Sequence, residues 1–343
     1  MNTKVGLFGI GLETYWAQFD GLLDHLKIYQ GEIRDRIASF GVDVVDAGMV
    51  DNLVKAGEAA EYLKKQDVDI VFLYVATYAL SSTVLPVARK LKVPVIILNL
   101  QPVARLDYET FNKSGDSGRM TGIWLEHCQA CSVPEIACVF NRTGIRYEIV
   151  TGYLKDEEAW KDIQAWTEAA GAVRALCNNR MGILGHYYCG MLDVYTDITK
   201  QSAVFGTHFE MLEMCELKKY RDSVTFEEVE EKIREFGEAF DIVPECEPAE
   251  IERAARTSIA LDRIIKHHNL SSMAYYYEGE GGNDYENMVT SVIAGNTLLT
   301  SNNIPVAGEC EVKNAQAMKI MAELGAGGSF SEFYLMDFED DIV

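Results

Sequence analysis

Basic residues are scarce in this chain. Only 31 Lys and Arg stand against 53 Asp and Glu in 343 residues, for a net charge of −22. That balance excludes nucleic acid and an anionic membrane as natural partners, since both require a basic surface. Long hydrophobic runs are also missing: none approaches the roughly 20 residues that span a bilayer. The N-terminal MNTKVGLFGIG has neither the apolar stretch nor the small-residue cleavage pattern of a secretory signal. A soluble, cytoplasmic protein is expected. Cysteine pairing is lacking as well. Of eight cysteines only Cys128 and Cys131 form a C-x-x-C, there is no second pair at zinc-finger spacing, and His127 is the nearby histidine. Neither a zinc nor a redox centre is expected, and the thiols read as small buried hydrophobes. The turn Gly9-Ile10-Gly11-Leu12-Glu13-Thr14 lacks the third glycine of the dinucleotide fingerprint, so no NAD is expected. No repeat of solenoid period and no low-complexity tract is present.

What is present is a regular alternation. Apolar content of 48% with 24% charged residues is globular composition, and the length suits two or three domains. Lys4–Gly9, Val42–Gly48, the apolar run from Asp69, and Val93–Pro102 read as buried strands. Helical stretches separate them: Tyr15–Phe40, a segment capped by Asp51 with Leu53, Ala56, Ala60 and Leu63 on one face, and Ser81–Leu91. Strict alternation implies a doubly wound parallel sheet, with ligands at the C-terminal strand ends. A second strand–turn unit opens at Arg180–Asp193 and echoes the first. It continues with a strand in Phe205–Leu212, a Thr225–Glu228 capping box, and a long helix Pro248–His268. The strand Tyr275–Tyr277 ends in Glu278 and Glu280 among glycines, which is either a polyol or metal site or an acidic loop. A helix Tyr285–Thr300 follows. The expected fold is therefore α/β, with two tandem Rossmann/flavodoxin-like domains at 1–175 and 176–325.

The chemistry concentrates in Val306–Glu339. Glu309 and Glu311 stand at the mouth of a helical pattern with Val312, Ala315, Met318, Ile320, Met321 and Leu324 on one face. After a Gly-rich break, Glu332 opens an aromatic, strand-like run. Carboxylates at the ends of successive elements can converge on a divalent cation. They can equally be acids favoured by a helix N-terminus.

In its motifs this stretch resembles the L-arabinose isomerase family, within the arabinose/fucose isomerase group. The family's G-E-G-D-x-K-T-A segment and following helix are similar to Gly308-Glu309-Cys310-Glu311-Val312-Lys313-Asn314-Ala315 and Ala317–Met321. Its G-G-T-S-F-M-E-D-Y is similar to Gly327–Tyr334, with Glu309 and Glu332 lying 23 residues apart. Weaker likeness runs through Ala254–Ile265, Val150–Trp160 and Asp69–Ser82. The resemblance implies that Glu309 and Glu332 ligate Mn²⁺, or another divalent cation such as Co²⁺, and act in aldose–ketose interconversion of a sugar through enediol proton transfer. Glu311 then belongs to the helix alone.

The resemblance also implies substrate-facing positions at Met181 and at Gly11, where the family has a glutamine, and Tyr277 sits at a strand end suited to a sugar. Cys128 and Cys131 fall where the family carries a glutamine and a histidine that reach a neighbouring subunit, which implies a homo-oligomer. Two histidines complete the family's metal site downstream, yet no histidine follows His268. Residues 326–343 are accordingly expected to begin a C-terminal domain that is mostly absent, and this chain by itself is expected to be inactive. The alternative expectation is a non-catalytic sugar-binding or sensing module on the same fold.

Overall fold

Apolar runs with no polar face can only be buried on both sides, and in the first half of the chain they pair as parallel strands. The computed structural model describes residues 2–279 and 281–342. The chain divides into two units, Met1–Gly171 and Ala172–Val343. In the first, the order is β1 (Lys4–Ile10), a 3-10 turn (Glu13–Tyr15), α1 (Leu22–Ala38), β2 (Asp43–Val50), α2 (Leu53–Gln66), β3 (Ile70–Val75) and α3 (Ser81–Leu91). It continues through β4 (Val95–Gln101), α4 (Tyr108–Lys113), α5 (Ser117–Glu126), α6 (Gln129–Thr143) and β5 (Tyr147–Tyr153). Helix α7 (Glu157–Cys177) carries the chain past the division. The sheet is all parallel, in the order β2-β1-β3-β4-β5.

Neighbouring residues of each strand feed opposite faces, because side chains alternate along a strand. Leu7, Phe72 and Leu98 pack with Leu26 and Ile33 of α1 and Trp160 of α7. Phe8, Leu73 and Ile97 pack with Ala56 and Ala60 of α2, Val84 of α3 and Phe140 of α6.

The second unit contains β6 (Arg180–Gly185), α8 (Ile198–Phe205), β7 (His208–Leu212), α9 (Met214–Asp222), α10 (Phe226–Ala239) and α11 (Pro248–His268). It ends with β8 (Ser272–Tyr276), α12 (Asp284–Val289), α13 (Ile293–Ser301), β9 (Val306–Ala307) and α14 (Val312–Glu323). Its sheet runs β7-β6-β8-β9, again all parallel. Leu184 and Met273 face α9 and α11 through Leu217, Leu261 and Ile264, while Ile183 and Ala274 face α14 through Val312 and Ala315. The fold is thus two tandem doubly wound α/β units. Among the described residues no helix is long and apolar enough to cross a membrane.

Several local expectations change. The expected helix Tyr15–Phe40 begins only at Leu22, because Gly21 at φ 78° interrupts it. Asn52, not Asp51, caps α2, its side chain accepting from Lys55 N at 3.0 Å, and Leu53 is 64% exposed. The stretch Tyr285–Thr300 forms two helices, α12 and α13, rather than one. The capping box at Thr225 and Glu228 is present as expected. The aromatic run from Glu332, expected to be strand-like, forms neither helix nor strand through Met336. On α14, Val312, Ala315 and Met318 are buried, but Met321 and Leu324 are each 43% exposed. Glu280 lies outside the described residues.

Candidate functional site

In a doubly wound sheet the crevice opens where neighbouring strands send their connections to opposite sides, beyond the C-terminal strand ends. In the second unit that point lies between β6 and β8. Gly185 closes β6 at φ +83°, and a Cβ there would lie 2.1 Å from the Tyr276 carbonyl oxygen, so only glycine fits. His186 follows and donates its backbone N–H to Tyr276 O at 3.0 Å. Its Nδ1 lies 2.9 Å from Tyr187 O and its Nε2 3.5 Å from Glu278 N, which puts the proton of the neutral ring on Nδ1. The imidazole meets the Tyr276 ring edge-on, with centroids 5.7 Å apart. Tyr276 in turn donates its hydroxyl to Glu278 at 3.1 Å. Burial, then the Glu278 carboxylate, raises the Tyr276 phenol above its ordinary range.

The next strand end carries the acids. After β9 the chain passes Gly308 and turns through Glu309 and Cys310, both left-handed at φ 55° and 57°. Two consecutive non-glycine residues in this region store on the order of 1–3 kcal/mol each. The turn is held by Cys310 N–H to Tyr275 O at 2.9 Å and Glu311 N–H to Gly308 O at 2.8 Å, with the Cys310 side chain fully buried. Glu311 is the N-cap of α14 and accepts from Lys313 N at 3.0 Å, so its carboxylate is committed to the helix.

Glu309 is different. Its Oε2 is buried with no hydrogen-bond partner. Burial, and then the charge of Glu332, raise its carboxyl above the usual carboxylate range. The two acids line one cavity of about 530 Å³ with Tyr275, Tyr276, Tyr277 and Tyr334. Tyr334 donates its hydroxyl to Glu332 at 2.5 Å. Among the described residues no Lys or Arg forms an ion pair with either acid. A neighbouring cavity of about 430 Å³ shares Tyr275, Ile293, Gly308 and Phe330 with it. Phe330 closes on Gly308, where a Cβ would come within 3.0 Å of its ring.

Two hard oxygen donors, one of them buried and unpartnered, suit a divalent cation of the Mn²⁺, Co²⁺ or Mg²⁺ type better than a thiolate-seeking ion.

Of the residues singled out in the sequence, the structure brings Glu309, Glu332 and Tyr277 to one cavity. It does not bring Met181 there. Met181 is the second residue of β6 and is completely buried with Ala274 and Ala307, well before the strand's C-terminal end. Gly11 belongs to the first unit, just past β1. A side chain at this position would strike the Trp16 ring at 2.7 Å, so the indole fills the place a substrate-facing group would take. Trp16 donates Nε1–H to Asp51 at 2.8 Å.

His186 and the strained Glu309–Cys310 turn were not legible beforehand. The Gly-His-Tyr-Tyr run directly after a strand was the available signal for the histidine. Nothing in residue type announces a left-handed Glu.

No protein-family model matches the chain. It is similar to the L-arabinose isomerase of Geobacillus kaustophilus, with 24% identity over 206 residues, 58% of this chain and 40% of that protein. The match therefore spans less than half the length of that curated relative. Among solved structures, it is similar to an ABC transporter periplasmic solute binding protein from Actinobacillus succinogenes with bound D-allose. That likeness has 10% identity over 99% of each chain and a TM-score of 0.22, which is too low to carry an argument.

Proposed function

We propose that the second unit carries the carboxylate half of a metal-dependent sugar isomerase site, of the L-arabinose isomerase type. The observation that supports this most directly is the pairing of Glu309 and Glu332 in one tyrosine-walled cavity, with Glu309 Oε2 buried and unpartnered. The motif likeness at Gly308–Ala315 and Gly327–Tyr334, and the 24% identity to an arabinose isomerase, point the same way. Glu309 and Glu332 would hold the ion, Mn²⁺ or Co²⁺. Bound there, it would polarise a sugar carbonyl and stabilise negative charge developing beside it.

The chain's own groups do the rest. A carboxylate with a raised pKa, set against the carbon next to a carbonyl, can take a proton and return it one carbon away. Tyr275, Tyr276 and Tyr277 offer ring faces and hydroxyls for orienting a polyol. The imidazole ligands expected of the family are not among the residues lining this cavity. A homo-oligomer completing the site from elsewhere forms part of the proposal.

The test is Mn²⁺ titration by calorimetry, with aldose-to-ketose conversion followed in parallel, for the parent protein and for Glu309→Gln and Glu332→Gln. Each substitution should weaken Mn²⁺ binding at least about tenfold and, in a longer form that carries the downstream imidazole ligands, abolish turnover. Full retention of both in both variants would overturn the assignment.

The tyrosine wall also fits a non-catalytic sugar-binding module. Thermal stabilisation by a sugar in the presence of chelator, unchanged in Glu309→Gln, would favour that reading.

A further inference from the structure

A second cluster of metal-ligating side chains lies elsewhere in the same unit and shares no residue with the carboxylate cavity. Glu216 of α9 and His267 and His268 at the end of α11 place ligand atoms within 4.8 Å of one another. Helices α9 and α11 are fixed side by side by Met214, Leu217, Leu261, Ile264 and Ile265 in a shared apolar cluster. Asn269, left-handed at φ 51°, ends α11 and returns its N–H to Ile265 and Lys266 carbonyls, which fixes the last turn bearing both histidines. That helix end also carries the negative pole of the macrodipole, which favours a cation.

The histidine geometry carries the argument further. His268 Nε2 points at Glu216 Oε1, 2.8 Å away. Its Nδ1 lies 3.5 Å from Glu210 Oε1 on β7. Glu210 cannot readily turn toward the cluster, because its other oxygen is held by Arg180 Nη2 at 2.5 Å, with His208 Nε2 at 3.4 Å. The acid is thus anchored behind the ring, the place a carboxylate takes when it orients a metal-bound imidazole from the far side. His267 is exposed, lies against the Tyr220 ring with centroids 6.0 Å apart, and meets His268 nearly at right angles, at 85° and 4.9 Å.

We propose that Glu216, His267 and His268 form a binding site for a divalent transition cation of the Zn²⁺ or Ni²⁺ type, with Glu210 orienting His268. Two imidazoles and one carboxylate form a three-ligand set that leaves a coordination position for water or another donor. Imidazole donors separate this site from the all-oxygen pair at Glu309 and Glu332, which suits harder ions. Ligands about 2.0–2.1 Å from a tetrahedral ion lie about 3.3 Å from one another. The cluster therefore has to contract only modestly, and the exposed His267 ring is free to turn. Ligation through Nε2 leaves Nδ1 to carry the ring's N–H, directed at Glu210.

The test is titration of the intact chain with Ni²⁺ alone by calorimetry, with X-ray absorption to count imidazole ligands. One equivalent should bind, with about two imidazoles in the ligand shell. His267→Ala and Glu216→Gln should each lose about tenfold or more in affinity, and Glu210→Gln about 10–100-fold. Glu309→Gln should bind as the parent does, which separates this site from the sugar-isomerase reading. His267 is exposed, so its removal leaves packing intact, and circular dichroism on each variant checks the fold. Unchanged affinity in His267→Ala and Glu216→Gln would overturn the site, as would loss of binding only in Cys128→Ser.

Discussion

The two sheets begin with the same topology, a first strand flanked by the second on one side and the third on the other, yet their crevices end in opposite conditions. In the first unit the turn after β1 is plugged. Trp16 packs over Gly11, and Asp51 Oδ2 accepts from the indole and pairs with Lys55 at 2.7 Å. In the second unit the crevice stays open, rimmed by His186, Tyr276 and Glu278, while the next strand end holds Glu309 on a strained turn facing another acid. Topology supplies a place for a ligand in both. The residues just past the strands decide whether polar groups there find protein partners or are left for a ligand.

The largest effect should come from the glycines that shape these turns. Gly185→Ala places a Cβ 2.1 Å from the backbone oxygen of Tyr276, at a φ of +83° that alanine disfavours. Backbone cannot step aside cheaply, so a loss of about 3–4 kcal/mol is expected. Gly11→Ala meets the rim of the Trp16 ring at 2.7 Å, and a side chain can shift, so about 1–2 kcal/mol is expected. Equal losses in urea denaturation would break the contrast between an open crevice built on backbone contact and a closed one built on a side chain.

A smaller effect separates the neighbouring acids of the second unit. Glu309→Gln removes the charge of a half-buried carboxylate with one buried, unpartnered oxygen, and with it the repulsion from Glu332. It should stabilise the metal-free chain by about 0.5–2 kcal/mol, the usual relation when a functional group is held against stability. Glu311→Ala removes the cap of α14 and should cost about 1 kcal/mol while leaving Mn²⁺ affinity unchanged. Thermal unfolding of the two variants should shift in opposite directions. A shift in the same direction would mean that both acids serve the helix.

These contrasts also mark how far the sequence could be read. Continuous apolar runs such as Ile70–Val75 and Val95–Gln101 leave little choice but central parallel strands, and the helices between them set the winding. That Glu309 and Glu332 would come together was legible because carboxylates flank a helix and a Gly-rich break, and Tyr277 joins them because it directly follows β8. Met181 lies away from the carboxylate cavity because alternation within a strand does not say how far along the sheet a residue lies. At Gly11, Trp16, five residues later, folds back over the turn, a contact no local pattern encodes. His186 and the left-handed Glu309 depend on how strand ends meet in space, and the Glu216–His267–His268 cluster on residues 51 positions apart in the chain.

The smallest effect concerns what ties the helices together in each unit. In the first, α2 and α3 meet through buried Ala56, Ala60 and Val84, with one exposed ion pair, Glu61 to Lys90, at the surface. In the second, α10 and α11 are joined by charge: Glu228 pairs with Arg263, and Lys232 with Asp262 at 2.8 Å. Glu228 also accepts from Thr225 N at 2.8 Å in the capping box. That backbone hydrogen bond first, and the Arg263 contact next, hold its carboxyl below its ordinary value of 4.5. A depressed carboxylate contributes stability that is fully present above the unfolded-state pKa and is lost as pH falls through the lower folded-state value. The parent chain should therefore exceed Glu228→Gln in urea midpoint at pH 7, with the difference shrinking as pH drops below about 4.5. Glu61, on α2 of the first unit, is also depressed, by a hydrogen bond and charge from Lys90, but it is fully exposed and ties no backbone group. Glu61→Gln should leave the acid limb where it is. If Glu61→Gln and Glu228→Gln flatten that limb equally, the acid response belongs to exposed ion pairs in general rather than to the capped, charge-tied pair α10 and α11.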